Sequence, residues 1–295
     1  SYISVLEALK HAAAHQDLGA PTTANWAKVR RVGDEVHAVG RATSGDDIVV
    51  ALRSGDGTWT SEILTPSSSP ANFSYDATVP GGGGRYLTFC TPATSCGDLN
   101  AGVFDGGTWT IDTVDTVGEV GALSQIADVA GGLQIFYADT TNHDLRRARR
   151  SSSGTWTTER MGTDEPHRIV LRRAPDGTPW LFVTAGSGAS QTHTLYRFAS
   201  GSWEGFALTP SRRWPDLAGS VDIAFHMGQV WVGYYVSSGY LGNLDRQLFT
   251  GSGFTSSYVS SDDFPDFSGM YHFTIDAQGR FWYVCSPGLL EFLGT

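Results

Sequence analysis

The sequence is poor in lysine and has no long apolar run. Lysine occurs only at Lys10 and Lys28, and 30 acidic residues outnumber 20 basic ones, which gives a formal net charge of −10. Because binding to nucleic acid needs a basic face that neutralises phosphates, this balance argues against a nucleic-acid partner. No stretch approaches the roughly 18 consecutive apolar residues of a transmembrane helix, so we expect no insertion into a membrane. The low lysine content and the loops rich in serine, threonine and glycine favour a secreted or periplasmic bacterial protein.

Motifs that hold metals, phosphates or nucleophiles are also missing. His11-Ala-Ala-Ala-His15 has the spacing of two ligands on one helical face, but it lacks the glutamate of His-Glu-x-x-His and no third ligand is marked. No Cys/His cluster has zinc spacing and no Gly-x-Ser-x-Gly elbow is present. The run Gly81–Gly84 sits in a predicted hairpin turn with no helix after it, so it is not a phosphate-binding loop. We expect no metal site and no cofactor.

Three cysteines leave two arrangements open. Cys90 and Cys96 flank a predicted strand–loop–strand hairpin, where a disulfide would close the loop and leave Cys285 as a buried thiol. In the alternative, all three are reduced and mostly buried thiols.

What the sequence does contain is a five-fold repeat. A glycine and then an aromatic residue open the same short strand at Trp59, Trp109, Trp156, Trp203 and Phe254. A period of about 50 residues is typical of one four-stranded blade of a β-propeller. A large ring at the same place in every repeat predicts that these side chains fill the space between neighbouring blades.

Each repeat predicts four strands, and the innermost strand begins six times. These starts lie near Ala27, Tyr75, Gln125, Ile169, Val221 and Tyr271. The sequence therefore predicts an all-β fold, a six-bladed β-propeller of four-stranded antiparallel blades in a single domain of residues 1–295. The predicted blades are 27–64, 75–114, 125–161, 169–208, 221–259, and 270–295 together with 2–6.

The last blade is one outer strand short at the C-terminal end. The segment Tyr2-Ile-Ser-Val-Leu-Glu-Ala predicts a strand at residues 2–6, which would complete that blade and close the ring, and closure removes exposed sheet edges. The alternative is a helix, because Ile3, Leu6 and Leu9 fall roughly on one helical face. In that case the sixth blade has three strands.

The best-preserved repeat runs from Leu133 to Trp156: an apolar strand with paired aromatics, a polar loop, a strand beginning at Leu145, and Gly-x-Trp. It resembles the blade repeat of the six-bladed fucose-binding lectins of fungi and bacteria. The resemblance implies a sugar site made by an arginine just before the aromatic strand, a glutamate two positions after the Leu or Ile, and an aromatic residue of a neighbouring blade. The sixth blade matches both charged positions, with Arg280 and Glu291.

A weaker resemblance is to the Asp-box of sialidase-like propellers, Ser-x-Asp-x-Gly-x-Thr-Trp. Residues 54–59, Ser-Gly-Asp-Gly-Thr-Trp, are one residue short of that motif. Sialidases need three arginines drawn from several blades, whereas Arg168, Arg172 and Arg173 lie on one predicted strand. We do not predict a sialidase.

In propellers, ligands usually bind on the face that carries the loops from each outer strand to the next inner strand. We expect the ligand there, and we set aside the opposite face because its glycine turns are short. The predicted ligand-binding residues are Arg212, Arg213, Trp214, Tyr240, Arg280 and Glu291. An alternative for the two adjacent arginines is a structural clamp with Asp262 or Asp263 on the next loop.

The sequence favours a carbohydrate or another small polar ligand, because aromatic faces stack on sugar CH groups and charged side chains bind hydroxyls. The alternative is an enzyme with one site at the channel mouth, a polysaccharide lyase or glycoside hydrolase, with His167, Arg168 and His272 as catalytic residues. His143 and His193 are expected to be solvated loop residues. A third alternative is a protein-interaction platform. Repeated shallow grooves would favour the binding module, and one deep pocket with a histidine of shifted pKa would favour the enzyme.

Overall fold

The computed structural model describes residues 24–32, 34–42, 45–77, 84–92, 94–105, 107–129, 132–186, 191–208, 221–238, 241–259, 270–275, 279, 281–285 and 290–293. All regular structure within these ranges is β-strand, so this part of the chain has no helix that could cross a membrane. The strands form six antiparallel sheets, in each of which neighbouring strands follow each other in the chain. The chain divides into two compact units, whose described residues fall within 24–165 and 166–293.

The first unit contains three four-stranded sheets. Sheet 1 is β1 (Ala24–Val32), β2 (Glu35–Ala42), β3 (Ile48–Arg53) and β4 (Trp59–Leu64). Sheet 2 is β5 (Ala71–Ala77), β6 (Arg85–Thr91), β7 (Asp98–Asp105) and β8 (Thr108–Asp115). Sheet 3 is β9 (Val120–Val129), β10 (Gly132–Asp139), β11 (Asp144–Arg150) and β12 (Trp156–Gly162).

The second unit contains two four-stranded sheets and one of three strands. Sheet 4 is β13 (Pro166–Arg173), β14 (Pro179–Ala185), β15 (Thr192–Ala199) and β16 (Ser202–Ala207). Sheet 5 is β17 (Val221–His226), β18 (Gln229–Ser238), β19 (Leu241–Phe249) and β20 (Phe254–Val259). Sheet 6 is β21 (Met270–Ile275), β22 (Phe281–Cys285) and β23 (Leu290–Leu293).

The predicted all-β class and the four-stranded antiparallel sheets are confirmed. Sheet 6 has three strands within the described residues. The predicted closing strand at residues 2–6, and its helical alternative, lie outside the described residues.

The hydrophobic core of each unit lies between successive sheets. One cluster joins sheets 1 and 2, a second joins sheets 2 and 3, and a third joins sheets 4 and 5. Strands with both faces covered lack the alternation of a half-exposed strand. β14 is accordingly buried at every residue, whereas every residue of the outermost strand β16 is exposed or half-buried.

Side chains also connect the innermost strands of neighbouring sheets. Asp76 Oδ2 on β5 accepts a hydrogen bond of 3.0 Å from the backbone N–H of Asp128 on β9. In the second unit, Asp222 Oδ2 on β17 accepts a bond of 3.3 Å from the backbone N–H of Phe273 on β21. These bonds hold separate sheets together where no strand ladder does.

The hairpin between β6 and β7 is closed by a disulfide between Cys90 and Cys96. This excludes the alternative in which all three cysteines are reduced, whereas the expected burial of the Cys285 thiol stays a prediction. Cys285 lies on β22.

Candidate functional site

The repeated tryptophans bridge neighbouring sheets in the first unit. Trp109 Nε1 on β8 donates a hydrogen bond of 2.8 Å to Glu62 Oε2 on β4 of the preceding sheet. Arg85 Nη2 binds the other oxygen of that carboxylate at 2.6 Å, and its guanidinium lies 3.6 Å from the centre of the Phe104 ring. Arg85 is buried. It therefore links sheets 1 and 2.

The same arrangement recurs one sheet further along the chain. Trp156 Nε1 on β12 donates a hydrogen bond of 3.0 Å to Asp112 Oδ2 on β8, and Arg150 Nε donates to the same oxygen at 2.9 Å. Each acceptor lies three residues after the tryptophan of its own sheet, since Glu62 follows Trp59 and Asp112 follows Trp109. The prediction that these rings lie between neighbouring sheets is confirmed for Trp109 and Trp156.

A cavity of about 380 Å³, here called pocket A, lies between sheets 2 and 3. Its polar lining is Tyr86, Asp105, Asp128, Arg150 and Ser151. Phe104 and Leu133 supply apolar surface. The lining thus combines an aromatic ring, two carboxylates and a guanidinium.

A second cavity of about 680 Å³, pocket B, lies between sheets 4 and 5. Its polar lining is Asp176, Thr178, Trp180, Arg197 and Gln229. Phe198, Phe225 and Val230 supply apolar surface.

The two pockets occupy equivalent positions of the repeat, as the strand registers show. Tyr86 and Trp180 are each the second residue of the second strand in their sheet, and they pair with the lining residues Val103 and Arg197 respectively. The opposite wall also corresponds. In sheet 3, Asp128 pairs with Leu133, and both line pocket A. In sheet 5, Phe225 pairs with Val230 at the equivalent position, and both line pocket B.

Tyr86 has a protonated hydroxyl at neutral pH. Burial raises the pKa of Tyr86, and the nearby charges of Asp128 and Asp76 raise it further, whereas Arg150 acts in the opposite sense. A side chain at position 84 would collide with this hydroxyl, because a Cβ there would lie 1.9 Å from Tyr86 Oη. Gly84 therefore makes room for a group that can both donate and accept a hydrogen bond.

The charged groups of pocket B have partners nearby. Arg197 Nη2 pairs with Glu204 Oε2 at 2.6 Å, and the Arg197 guanidinium lies 5.9 Å from the centre of the Trp180 ring. Asp176 Oδ1 accepts a hydrogen bond of 2.8 Å from the backbone N–H of Thr178. Hydrogen bonds from Thr178 lower the pKa of Asp176, so this carboxylate closes its own turn.

Both pockets lie beside the short hairpins that join the first strand to the second and the third strand to the fourth. Gly84 and Gly132 of pocket A and Gly228 of pocket B belong to those hairpins. The sequence predicts ligands at the opposite end of the sheets, because the turns at this end are short. The turns contribute few side chains of their own, but they leave the gap between two sheets open. Tyr86 and Trp180, near the start of the second strand of their sheets, line that gap.

Five of the six predicted ligand-binding residues are not among the described residues. Arg212, Arg213, Trp214, Tyr240 and Arg280 lie outside the described residues. Glu291 lies on β23 and His272 lies on β21, and the structure describes only the backbone of these two residues. The roles assigned to these six ligand-binding residues and to His272 stay predictions.

His167 and Arg168 are neighbours on β13, and neither lines pocket A or pocket B. The His167 side chain is exposed. Burial lowers the pKa of Arg168, which the charge of Asp222 opposes. Asp222 is itself buried and pairs through Oδ1 with Arg172 Nε at 2.9 Å.

The two other histidines singled out in the sequence behave differently from each other. His143 is exposed in the turn after β10, and its Nδ1 lies 2.5 Å from Glu165 Oε2. The prediction that His193 is solvated is wrong, because this side chain is buried on β15. It packs against Phe182, with Thr184 Oγ1 at 3.2 Å from its Nδ1, and burial lowers its pKa to about 4.

The aspartate of the Asp-box-like segment closes a turn. Asp56 Oδ1 accepts hydrogen bonds from Ser54 Oγ at 2.5 Å and from the backbone N–H of Thr58 at 2.9 Å, and these bonds lower its pKa. Within the described part of the chain, no three His, Cys, Asp or Glu side chains come together as they would around a metal ion.

Comparison with known proteins shows a likeness of fold. No family model matches the sequence, and no curated protein matches it. Among solved structures, the chain is similar to AofleA from Arthrobotrys oligospora, with 14% identity and a TM-score of 0.51 over 91% of this chain and 81% of that one. It is also similar to virginiamycin B lyase from Staphylococcus aureus, with 14% identity and a TM-score of 0.55 over 93% and 86% of the two chains.

A puromycin hydrolase gives a similar result, with 18% identity and a TM-score of 0.56, covering 94% of this chain and 46% of that one. These proteins are β-propellers, so the likeness shows a β-propeller fold. At such identities it shows the fold alone.

Proposed function

We propose that this protein is a carbohydrate-binding β-propeller that holds sugar units in pockets between neighbouring blades. The observation that carries the proposal is the recurrence of pockets A and B at equivalent positions of the repeat. A binding module built from repeated blades is expected to repeat its site, whereas an enzyme needs one unique constellation. Both cavity volumes fall within the range of about 300 to 1,000 Å³ that is usual for small-molecule sites.

The lining of each pocket suits a sugar ring. In pocket A, the Tyr86 hydroxyl and the carboxylates of Asp105 and Asp128 offer hydrogen-bonding groups for sugar hydroxyls. In pocket B, Arg197 and Gln229 offer donors, while Phe225 supplies an apolar surface for the CH face of a ring. A few polar groups set in an apolar and aromatic lining are typical of sites that fix ligand orientation.

The finer features of the sequence prediction belong to the same proposal. We expect six blades, a strand at residues 2–6 that completes the sixth blade, and a secreted or periplasmic location. We also expect further sugar contacts from the loop residues Arg212, Arg213 and Trp214, from Tyr240, and from Arg280 with Glu291. An enzyme acting through His167, Arg168 and His272 is the competing proposal, and His167 and Arg168 line neither pocket.

The test combines a glycan array with two exposed substitutions, one in each pocket. Asp105→Ala removes a carboxylate from pocket A, and Gln229→Ala removes an amide from pocket B. Asp164→Ala is the matched control, since Asp164 is exposed and lines neither pocket. We expect each pocket variant to lose roughly fivefold to tenfold in affinity for the glycans found on the array, as the loss of one net hydrogen bond predicts.

The double variant should bind far more weakly than either single variant. An array without any bound glycan would remove the proposal. So would a double variant that binds as tightly as the Asp164→Ala control.

A further inference from the structure

The guanidinium of Arg168, on β13, makes no hydrogen bond and no ion pair with any described residue, and its Nε is buried. Arg85 and Arg197 also have a buried Nε without a hydrogen bond, but each pairs through Nη2 with a carboxylate, Glu62 and Glu204 respectively. A buried donor without an acceptor is costly, and in a native protein a ligand that binds there is one physical reason for it. Arg168 therefore has the donors of a binding group that the rest of the described chain does not use.

Arg168 belongs to a row of side chains on the face of β13 that packs against sheet 5. Successive residues of a strand point to opposite faces, so Arg168, Val170 and Arg172 share one face. Val170 lies in the core cluster with Val221 of β17, which identifies this face as the one toward sheet 5. The two arginines thus flank Val170 at the junction between sheets 4 and 5.

One carboxylate lies beside these two guanidiniums. Asp222 on β17 is buried, and its Oδ1 pairs with Arg172 Nε at 2.9 Å. The same oxygen accepts the backbone N–H of Ile223 at 2.9 Å, and Oδ2 accepts that of Phe273 at 3.3 Å. Burial lowers the pKa of Arg168, the charge of Asp222 raises it, and the charge of Arg172 lowers it, but an arginine stays charged at neutral pH. One positive charge therefore remains at Arg168.

Arg168 lies at the opposite end of this junction from pocket B. Arg172 pairs with Trp180, which lines pocket B, and Arg168 lies four positions before Arg172 on β13. At about 3.3 Å per residue, these four positions span about 13 Å. Arg168 is half-buried and the neighbouring His167 is exposed, so a molecule in solution reaches this end of the strand. A ligand group at Arg168 is thus separate from one in pocket B.

We propose that Arg168 binds the carboxylate of an acidic sugar unit, so that the protein recognises glycans that contain uronic acids. This proposal rests on the proposed carbohydrate-binding function. The planar guanidinium matches the two oxygens of a carboxylate, and hydrogen bonds between charged partners are stronger than neutral ones. Because Nε is buried, the carboxylate meets the two Nη groups. The formal net charge of −10 repels an acidic glycan from the chain as a whole, so a preference for one requires a local cation.

A pair of matched ligands tests this proposal. The trimer of α-1,4-linked galacturonic acid and its methyl ester share a backbone and differ in the charge of their carboxyl groups. We expect calorimetric titration of the full chain at low salt to give an affinity about tenfold higher for the acid, as one additional charge-assisted hydrogen bond predicts. That preference should shrink as salt is added, because Arg168 is only half-buried.

Substitutions then locate the preference. Arg168→Gln removes the charge and should bring the ratio of the two affinities close to one, whereas Arg168→Lys keeps the charge, loses the fork of donors and should retain part of the preference. Arg149→Gln is the matched control, since Arg149 is exposed and lines neither pocket, and Glu159 keeps its ion pair with Arg147. The control should leave the ratio unchanged. Urea unfolding should give Arg168→Gln the stability of the wild-type chain, because Arg168 has no hydrogen bond to lose within the described structure.

The outcomes separate this proposal from the proposed function. A protein that binds neutral glycans but shows no preference for the galacturonic acid trimer would overturn the proposal and leave the function standing. An equal loss of preference in Arg168→Gln and Arg149→Gln would also overturn it, because the effect would then come from net charge. So would a large loss of stability in Arg168→Gln, since the guanidinium would then serve the packing of the sheets. A protein that binds no glycan at all would remove both.

Discussion

Trp109 Nε1 lies 2.8 Å from Glu62 Oε2, so a tryptophan on the outermost strand of one sheet is anchored to a carboxylate on the outermost strand of the sheet before it. Arg85 binds the second oxygen of the same carboxylate. A charge-assisted hydrogen bond of this kind is stronger than a neutral one and fixes the direction of the indole ring. Trp109 and, by the same arrangement, Trp156 therefore hold neighbouring sheets together.

This contact makes Trp109→Phe a sensitive probe of the junction between sheets 1 and 2. Phenylalanine keeps most of the apolar surface but loses the N–H donor, so we expect a loss of about 1 to 2 kcal/mol in the free energy of unfolding. Trp59→Phe is the control, since Trp59 is half-buried and has no hydrogen bond to a carboxylate within the described residues. Urea unfolding monitored by circular dichroism measures both. Equal losses in the two variants would mean that the hydrogen bond contributes nothing.

Gly84→Ala should alter pocket A while the chain stays folded. A Cβ at position 84 would lie 1.9 Å from Tyr86 Oη, so the tyrosine must move away from its present place in the lining. We expect a loss of roughly tenfold in glycan affinity with a small change in stability. Gly253→Ala is the control, because a Cβ there meets nothing within 4 Å. Unchanged titration curves for Gly84→Ala would show that Tyr86 is not part of a binding site.

Gly233→Ala should destabilise the junction between sheets 5 and 6. Gly233 lies on β18, and a Cβ there would come within 2.5 Å of Phe273 Cγ, a ring that is fully buried. Overpacking of this kind costs about 1 to 3 kcal/mol. Chemical denaturation of Gly233→Ala beside Gly253→Ala measures the difference. If both variants unfold at the same denaturant concentration, the two elements are not packed as closely as described.

The buried His193 predicts a loss of stability in acid. Burial lowers its pKa from 6.5 to about 4, so between these values the unfolded chain binds a proton that the folded chain does not. The stabilising contribution is present above pH 6.5 and is lost as the pH falls toward 4, by about 3 kcal/mol. His193→Gln should shrink the difference in unfolding free energy between pH 7 and pH 4.5. The exposed His167→Gln should retain the wild-type difference, and the same shrinkage there would contradict the assignment.

The periodicity of the sequence predicts where the strands of each sheet begin. Trp59, Trp156 and Phe254 were each predicted to open an outermost strand, and β4, β12 and β20 begin at those residues. This works because the alternation of a strand and the glycine turn before it are encoded by residues close together in the chain. The same local signals failed for His193, which was predicted to be a solvated loop residue but lies buried on β15.

What the sequence by itself determined is the repeated four-stranded sheet, because its pattern is local. What only the tertiary structure decided is which side chains of neighbouring sheets come together: Trp109 bonds to Glu62, 47 positions away, and Asp105 and Asp128 line the same cavity. Such contacts depend on how one sheet packs against the next, and no spacing within a single repeat encodes them. For the same reason, the sequence pattern predicts ligands at the ends with long loops, whereas the packing of the sheets leaves pockets A and B beside the short turns.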